Sequence, residues 1–247
     1  MIILTIDTSS TSASTAILNE GIILSESSVT LADIKGNGRK THSETLMPMI
    51  EGLFNITAMH LSEIDIIAAT CGPGSFTGLR IGAATAKGLA YAAKKPLIAV
   101  PALDALAGNI TAFANTVIVP MLDARRAQIY TALYRVRPDL SLERVTDYLA
   151  ADICDIINEY VMPIRDRIIF LGEGAYANKA YLSGLNLGIV APSYNSRIQM
   201  SSVGAYAIKQ AKAGNLPDEG SFNLLYIRKP QAERELEKRL LKNDSDN

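Results

Sequence analysis

Residues 72–80 read Gly-Pro-Gly-Ser-Phe-Thr-Gly-Leu-Arg, a glycine-rich loop between an apolar run and a small-residue segment. A strand that ends in glycines and enters a helix presents unpaired backbone N–H groups at the positive end of the helix dipole. Such a loop suits an anion, and Gly72, Ser75 and Thr77 are the residues that would hold a phosphate. The lysine of a Walker A loop, GxxxxGK[ST], is missing. A nucleophile elbow, GxSxG, also fails, because Pro73 and Thr77 flank Ser75. A purely structural glycine turn stays open beside the phosphate reading.

A second polar set, Asp7-Thr8-Ser9-Ser10, ends the first apolar run. Its carboxylate and hydroxyls could receive phosphate or Mg²⁺, but residues of these types also make ordinary turns. The histidines are His42 and His60, with no HExxH and no cysteine partner, which disfavours a histidine metal centre. Cys71 and Cys154 lie far apart and read as buried small hydrophobes. Asp123-Ala124-Arg125-Arg126 reads as an ion pair before it reads as a ligand clamp.

The elements that must position these groups are legible from periodicity. Ile2–Ile6, Thr15–Leu18 and Ile22–Ser28 read as strands, with Asn19-Glu20-Gly21 as a hairpin turn. Residues 33–40 read as a loop. Thr41 and Glu44 form a capping box ahead of Leu46, Met49, Ile50, Leu53 and Phe54, one apolar helical face, with Pro48 expected to kink it. Strand Ile64–Thr70, helix 77–94 and strand Leu97–Val100 follow. Beyond Pro101 the order partly repeats: helix Ala102–Ala114, strands Thr116–Met121 and Ile129–Arg135, helix Asp152–Val161, strand Ile168–Gly172, helix Ala175–Ser183 and helix Ser202–Ala213. The echo predicts two related α/β halves. Gln231–Asn247 is highly charged and reads as a solvated tail.

Composition narrows the partners. The chain has 247 residues, 48% hydrophobic and 20% charged, with net charge −1. The pI near 6.2 argues against a protein that binds nucleic acid by its own electrostatics. No apolar run approaches the roughly 20 residues of a membrane span, and the opening MIILTIDTSS reads as a strand, not a signal peptide. A cytoplasmic location is expected. Gly78, Gly82 and Ala86 recur every four residues on one helical face. Interior glycines such as Gly82 and Gly88 each cost about 1 kcal/mol relative to alanine, so close approach of another backbone is expected, inside the chain or from a partner helix.

Five stretches together resemble the TsaB (YeaZ) family: IDTSS at 6–10, THSETLMPMI at 41–50, GPGSFTGLRIGAATAKGLA at 72–90, PLIAVPALDALA at 96–107 and DARRAQIY at 123–130. LGEGA at 171–175 and YIRKP at 226–230 extend the likeness, while Gln128 stands where the family wording has a Glu. The resemblance implies an ASKHA (actin-like, RNase H-like) α/β fold of two related subdomains, their mixed sheets flanked by helices. The first would span 1–101 and the second 102–213, its last helix packing back on the first, with 214–247 as closing segment and tail.

The resemblance further implies a non-catalytic partner subunit in making threonylcarbamoyladenosine next to the tRNA anticodon. Such a subunit pairs with and activates its paralogue TsaD, helps recruit the ATPase TsaE, and meets tRNA through the complex. Pairing is expected through His42, Leu46, Met49, Ile50 and Leu53 of the first helix and Gly74, Phe76, Gly78, Arg80, Gly82 and Ala86 of the second. The same seam could form a homodimer when the chain is alone. The paralogue's HxxxH metal ligands fall on Ala102 and Leu106 and its late metal Asp near Val203, so neither metal nor catalytic residue is expected. No cofactor of its own is implied, apart from ATP or ADP held weakly or at the interface. Glu173, opening EGAYAN, would repel an anionic nucleotide. The competing reading is an actin-like ATPase or phosphotransferase using Asp7, Thr8, Ser9 and Ser10 with the Gly72–Gly78 loop.

Overall fold

A computed structural model describes residues 1–31, 40–125, 127–217 and 221–227. The expected loop at 33–40, apart from Lys40, lies outside the described residues, as do Arg126 and the 231–247 tail.

The first half is built on β1 (Ile2–Asp7), β2 (Ser12–Asn19) and β3 (Ile22–Thr30), then α1 (His42–Thr57), β4 (Ile66–Gly72), α2 (Phe76–Ala93) and β5 (Leu97–Pro101). Its sheet has the order β3-β2-β1-β4-β5, antiparallel across β3, β2 and β1 and parallel from β1 through β5. Helix α1 starts where the capping box places it. Glu44 accepts from the Thr41 backbone N–H at 2.8 Å, and the helix runs on through Pro48 to Thr57.

The second half contains α3 (Ala102–Ala107), β6 (Val117–Asp123), β7 (Gln128–Thr131), β8 (Tyr134–Val136), β9 (Leu142–Arg144) and β10 (Leu149–Asp152). It continues with α4 (Ile153–Ile156), a π-helical turn over Ile157–Val161, β11 (Ile168–Leu171), α5 (Glu173–Ala177), α6 (Lys179–Gly184), β12 (Ile189–Val190) and α7 (Met200–Lys212). Its main path, β10-β7-β6-β11-β12, repeats the first sheet's pattern of two antiparallel and two parallel pairings. The predicted pair of related α/β halves is therefore present in the strand order itself, the doubled arrangement of an actin-like fold.

Four expectations are corrected. Cys154, read like Cys71 as a buried small hydrophobe, is exposed. The helix expected over 102–114 stops at Ala107, because the Asn109 side chain is held by residues far along the chain. Its amide donates to the Arg197 carbonyl at 2.6 Å and its oxygen accepts from the Gln199 N–H and the Ser202 hydroxyl. The single strand expected over 129–135 is two strands, because the Leu133 N–H leaves the ladder for the Thr146 hydroxyl at 3.0 Å. After that break β8 pairs with β6 and β9. The helix expected over 175–183 is two short helices meeting at Asn178.

The cores follow from the alternation. One cluster, including Ile3, Leu18, Ala68, Leu103, Ile118 and Val203, fills the space between the sheets. Helix α7 packs there against β1, β2, β4 and β5, although its residues come from the second half. A second cluster joins Leu4, Ile6 and Ile67 to Leu46, Ile50 and Leu53 of α1 and Ala83, Ala86 and Ala90 of α2. Phe222 belongs to this cluster too, so the segment 221–227 closes over the first half. Among the described residues no helix is long and apolar enough to cross a membrane.

Candidate functional site

The polar turn after β1 and the glycine loop after β4 are pressed together. The Ser75 N–H donates to the Ser9 carbonyl at 2.6 Å, and the Thr8 hydroxyl donates to the Gly78 carbonyl at 2.8 Å. Ser75 caps α2, its hydroxyl accepting from the Gly78 N–H at 3.3 Å while its carbonyl accepts from Leu79. The N–H groups of Ser75 and Gly78, two of those that would have cradled a phosphate, are thus already bonded inside the chain. Thr8 sits against the glycine face of α2: a Cβ at Gly78 would collide with the Thr8 carbonyl oxygen, and one at Gly82 with the Thr8 hydroxyl.

This contact corrects the expected pairing seam. Gly78, Gly82 and Ala86 are buried within the chain, as are His42, Leu46, Ile50 and Leu53. His42 Nε2 lies 3.3 Å from the Ser12 carbonyl oxygen, inside the same contact. A partner cannot reach these side chains. The physical reason is simple: apolar and small-residue periodicity marks the face a helix most needs to bury, and its own sheet takes that face first. Met49 and Gly74 remain partly accessible, and Phe76 and Arg80 are exposed.

Of the residues with a phosphate reading, Asp7, Thr8, Ser9 and Gly72 are buried, Ser10 and Ser75 partly so, and Thr77 is exposed. One Asp7 carboxylate oxygen accepts from the Ser9 N–H at 3.0 Å and from the Thr70 hydroxyl at 2.7 Å. The Ser9 hydroxyl faces Asp7 but makes no well-formed hydrogen bond among the described residues. Burial pushes the Asp7 carboxyl above its ordinary range, while the Ser9 and Thr70 donors and nearby His42 pull the other way. Glu173 opens α5 nearby; burial raises its pKa, and the charges of Asp123 and Asp7 add to the rise. Asp123 itself pairs loosely with Arg125, Nε to carboxylate oxygen at 3.9 Å, both exposed. The junction of the two halves therefore carries three carboxylates, a poor reception for an anion.

Asp7→Asn is expected to melt higher than wild type at neutral pH. Because the folded pKa lies above the unfolded value of 3.8, the folded chain holds a proton between the two values that the unfolded chain has lost. Stability therefore falls as pH rises through that window. Asparagine keeps an acceptor for Ser9 and Thr70 without the buried charge. Thermal melts from neutral to acid pH should show the variant ahead at neutral pH, by about 2–4 °C per kcal/mol recovered, and converging as Asp7 protonates. A variant that melts lower at neutral pH would make the charge structurally necessary.

Helices α1 and α2 pack against each other. Their exposed residues include Met47 and Ile56, 48% and 76% exposed on opposite flanks of α1, and Tyr91 of α2, 77% exposed, with Phe76 and Ala84. Gly88 is exposed in mid-helix α2 beside Ala84 and Tyr91, and among the described residues a Cβ there would meet nothing within 4 Å. Nothing among the described residues accounts for a helix-weakening glycine at that position. Met47, Ile56 and Tyr91 carry no periodic signal of their own; only Gly88, an interior glycine, hinted at them.

Comparison with known proteins places this surface in context. The family model for "TsaD: tRNA N6-adenosine threonylcarbamoyltransferase" matches residues 33–218. The chain is 35% identical over 181 residues to the tRNA threonylcarbamoyladenosine biosynthesis protein TsaB of Bacillus subtilis (strain 168), covering 72% of this chain and 74% of that protein. It is 29% identical to the TsaB of Escherichia coli (strain K12), covering 76% and 78%. Among solved structures, YeaZ from Pseudomonas aeruginosa superposes with a TM-score of 0.73 at 22% identity, over 92% of this chain and 99% of that one.

Proposed function

The chain belongs to the TsaB family, and from that premise we propose that it serves threonylcarbamoyladenosine synthesis as a partner subunit without catalytic groups of its own. In this reading it pairs with the transferase TsaD through the exposed faces of α1 and α2. Docking selects the productive conformation of the transferase by binding it more tightly than others, and the pair recruits the ATPase TsaE. tRNA is met by the assembled complex.

The observation that carries this reading is the burial of the residues on or near which the resemblance would set the transferase's metal ligands. Ala102, Leu106 and Val203 are fully buried in one hydrophobic cluster between the sheets. Alkyl side chains cannot ligate a metal, and this space is already filled. The outer face of α2 supplies the complementary feature, exposed Phe76, Ala84 and Tyr91 around an otherwise costly glycine.

Reconstitution of tRNA modification from the transferase and the ATPase, with and without this chain, tests it. Modification should fall to background when the chain is omitted and return when it is added. Equal modification in both would end the partner reading. A second reading, nucleotide handling by the chain itself, is favoured by one observation, the buried hydroxyl of Ser9 beside Asp7, unpartnered among the described residues. Turnover of ATP by this chain without the transferase, in the same assay, would select it.

A further inference from the structure

Arg80 projects from the first turns of α2 and is held in an aromatic clamp. Its guanidinium carbon lies 3.8 Å from the centre of the Phe76 ring, one turn earlier on the same helix. Its Nε donates to the Tyr226 hydroxyl at 3.3 Å. The Phe76 and Tyr226 rings themselves lie 5.5 Å apart, tilted by 39°. Two segments separated by 146 positions thus build one small platform.

Tyr226 is brought there by the segment 221–227. Phe222 is buried in the core under α2, and the Leu225 N–H donates to the Cys71 carbonyl at 2.7 Å. The Leu225 carbonyl then lies 2.6 Å from where a Cβ of Gly72 would stand, so a side chain at 72 would push the segment off. Gly72 has φ +112°, a second reason for glycine there. The glycine loop is therefore also the seat of the closing segment.

The clamp uses the Nε of the guanidinium, and among the described residues neither terminal nitrogen makes a hydrogen bond. Among the described residues no carboxylate lies within ion-pair distance of Arg80. Helix α2 itself contains no acidic residue. A planar guanidinium fixed by stacking, with its terminal N–H groups unused, matches the fork geometry of a carboxylate. Arginine and aromatic residues in this combination are typical anchors of protein interfaces.

We propose that Arg80, clamped between Phe76 and Tyr226, receives a carboxylate side chain of the transferase partner, and that the closing segment is thereby part of the pairing surface. This rests on the partner reading above and names the chemistry of its anchor. A phosphate backbone is the poorer match, because electrostatic binding to nucleic acid needs several cations together. Among the described residues of α2 the next cation is Lys87, two turns away with its ammonium 6.0 Å from the Phe222 ring.

Calorimetric titration of the full chain with the transferase, without tRNA, is the test. Arg80→Ala and Tyr226→Ala should each weaken association by about tenfold or more, with unchanged thermal melts. Arg80→Lys should not restore it, since an ammonium lacks the planar fork. The Arg80→Ala/Tyr226→Ala double variant should be no weaker than Arg80→Ala, because the two act as one unit. Lys87→Ala, which removes the same charge from the same helix, should stay within about twofold of wild type. Charge reversal at one acidic residue of the transferase should rescue Arg80→Glu and so identify the partner carboxylate.

Wild-type affinity for Arg80→Ala overturns the anchor and leaves the partner reading standing. No association by the wild-type chain overturns both. A defect that appears only when tRNA is added assigns Arg80 to phosphate and overturns the carboxylate proposal, as does an equal loss in Lys87→Ala.

Discussion

Gly82→Leu is expected to unfold the first half of the molecule, not merely to block a partner. Its Cβ would enter the space of the Thr8 hydroxyl, which is fixed by its bond to the Gly78 carbonyl. To make room, α2 must lift from β1, and the Ser75–Ser9 hydrogen bond breaks with the Thr8–Gly78 one. Overpacking of this kind costs about 1–3 kcal/mol and each lost hydrogen bond about 1 kcal/mol more. Together they remove about 3–5 kcal/mol, a large share of the roughly 5–15 kcal/mol that holds a domain folded. Denaturant titration should show an early midpoint or no cooperative transition. A variant that folds like wild type would mean that the Thr8 contact is soft.

Gly88→Leu should give the opposite result. A side chain there meets open space, and replacing an interior glycine recovers about 1 kcal/mol of helix stability. The variant should therefore melt at or above wild type. Its bulk, however, stands on the exposed face between Ala84 and Tyr91, where close approach of a partner helix would be blocked. Association with the transferase is expected to fall by about a hundredfold, the scale of a hot-spot loss, as read by calorimetry or sedimentation. Undiminished association would move the pairing surface away from the outer face of α2. The two glycines, six positions apart on one helix, thus separate folding from recognition.

The sequence marked Gly82 and Gly88 alike as costly interior glycines, but set only Gly82 in a spacing pattern. Both are interior glycines, and a four-residue spacing singled out Gly78, Gly82 and Ala86. That regularity is the signature of burial in general; it does not say against what. The same holds for Leu46, Ile50 and Leu53, whose spacing predicted α1 correctly and whose side chains then went to the chain's own core. The outward Met47, Ile56 and Tyr91 follow no apolar period, because they are what remains exposed once each helix has buried its apolar face. Tyr226 is farther still from legibility. Its place beside Phe76 and Arg80 depends on where Phe222 and Leu225 seat the closing segment.

The sequence by itself determined the elements whose causes are local: the capping box at Thr41 and Glu44, the hairpin at Asn19–Gly21, the glycine-launched helix and the doubled α/β order. It also fixed the chemistry available, since residue types that are missing cannot be supplied by folding. Tertiary structure decided everything that depends on which distant segments share space. It placed Thr8 against Gly78 and Gly82, ended the helix at Ala107 through Asn109, and split the strand at Leu133 through Thr146. It also seated two other parts of the chain, the turn after β1 and the closing segment, on the Gly72–Arg80 loop. Hydrogen bonds and close packing across tens of residues have no period, so only the folded chain could show them.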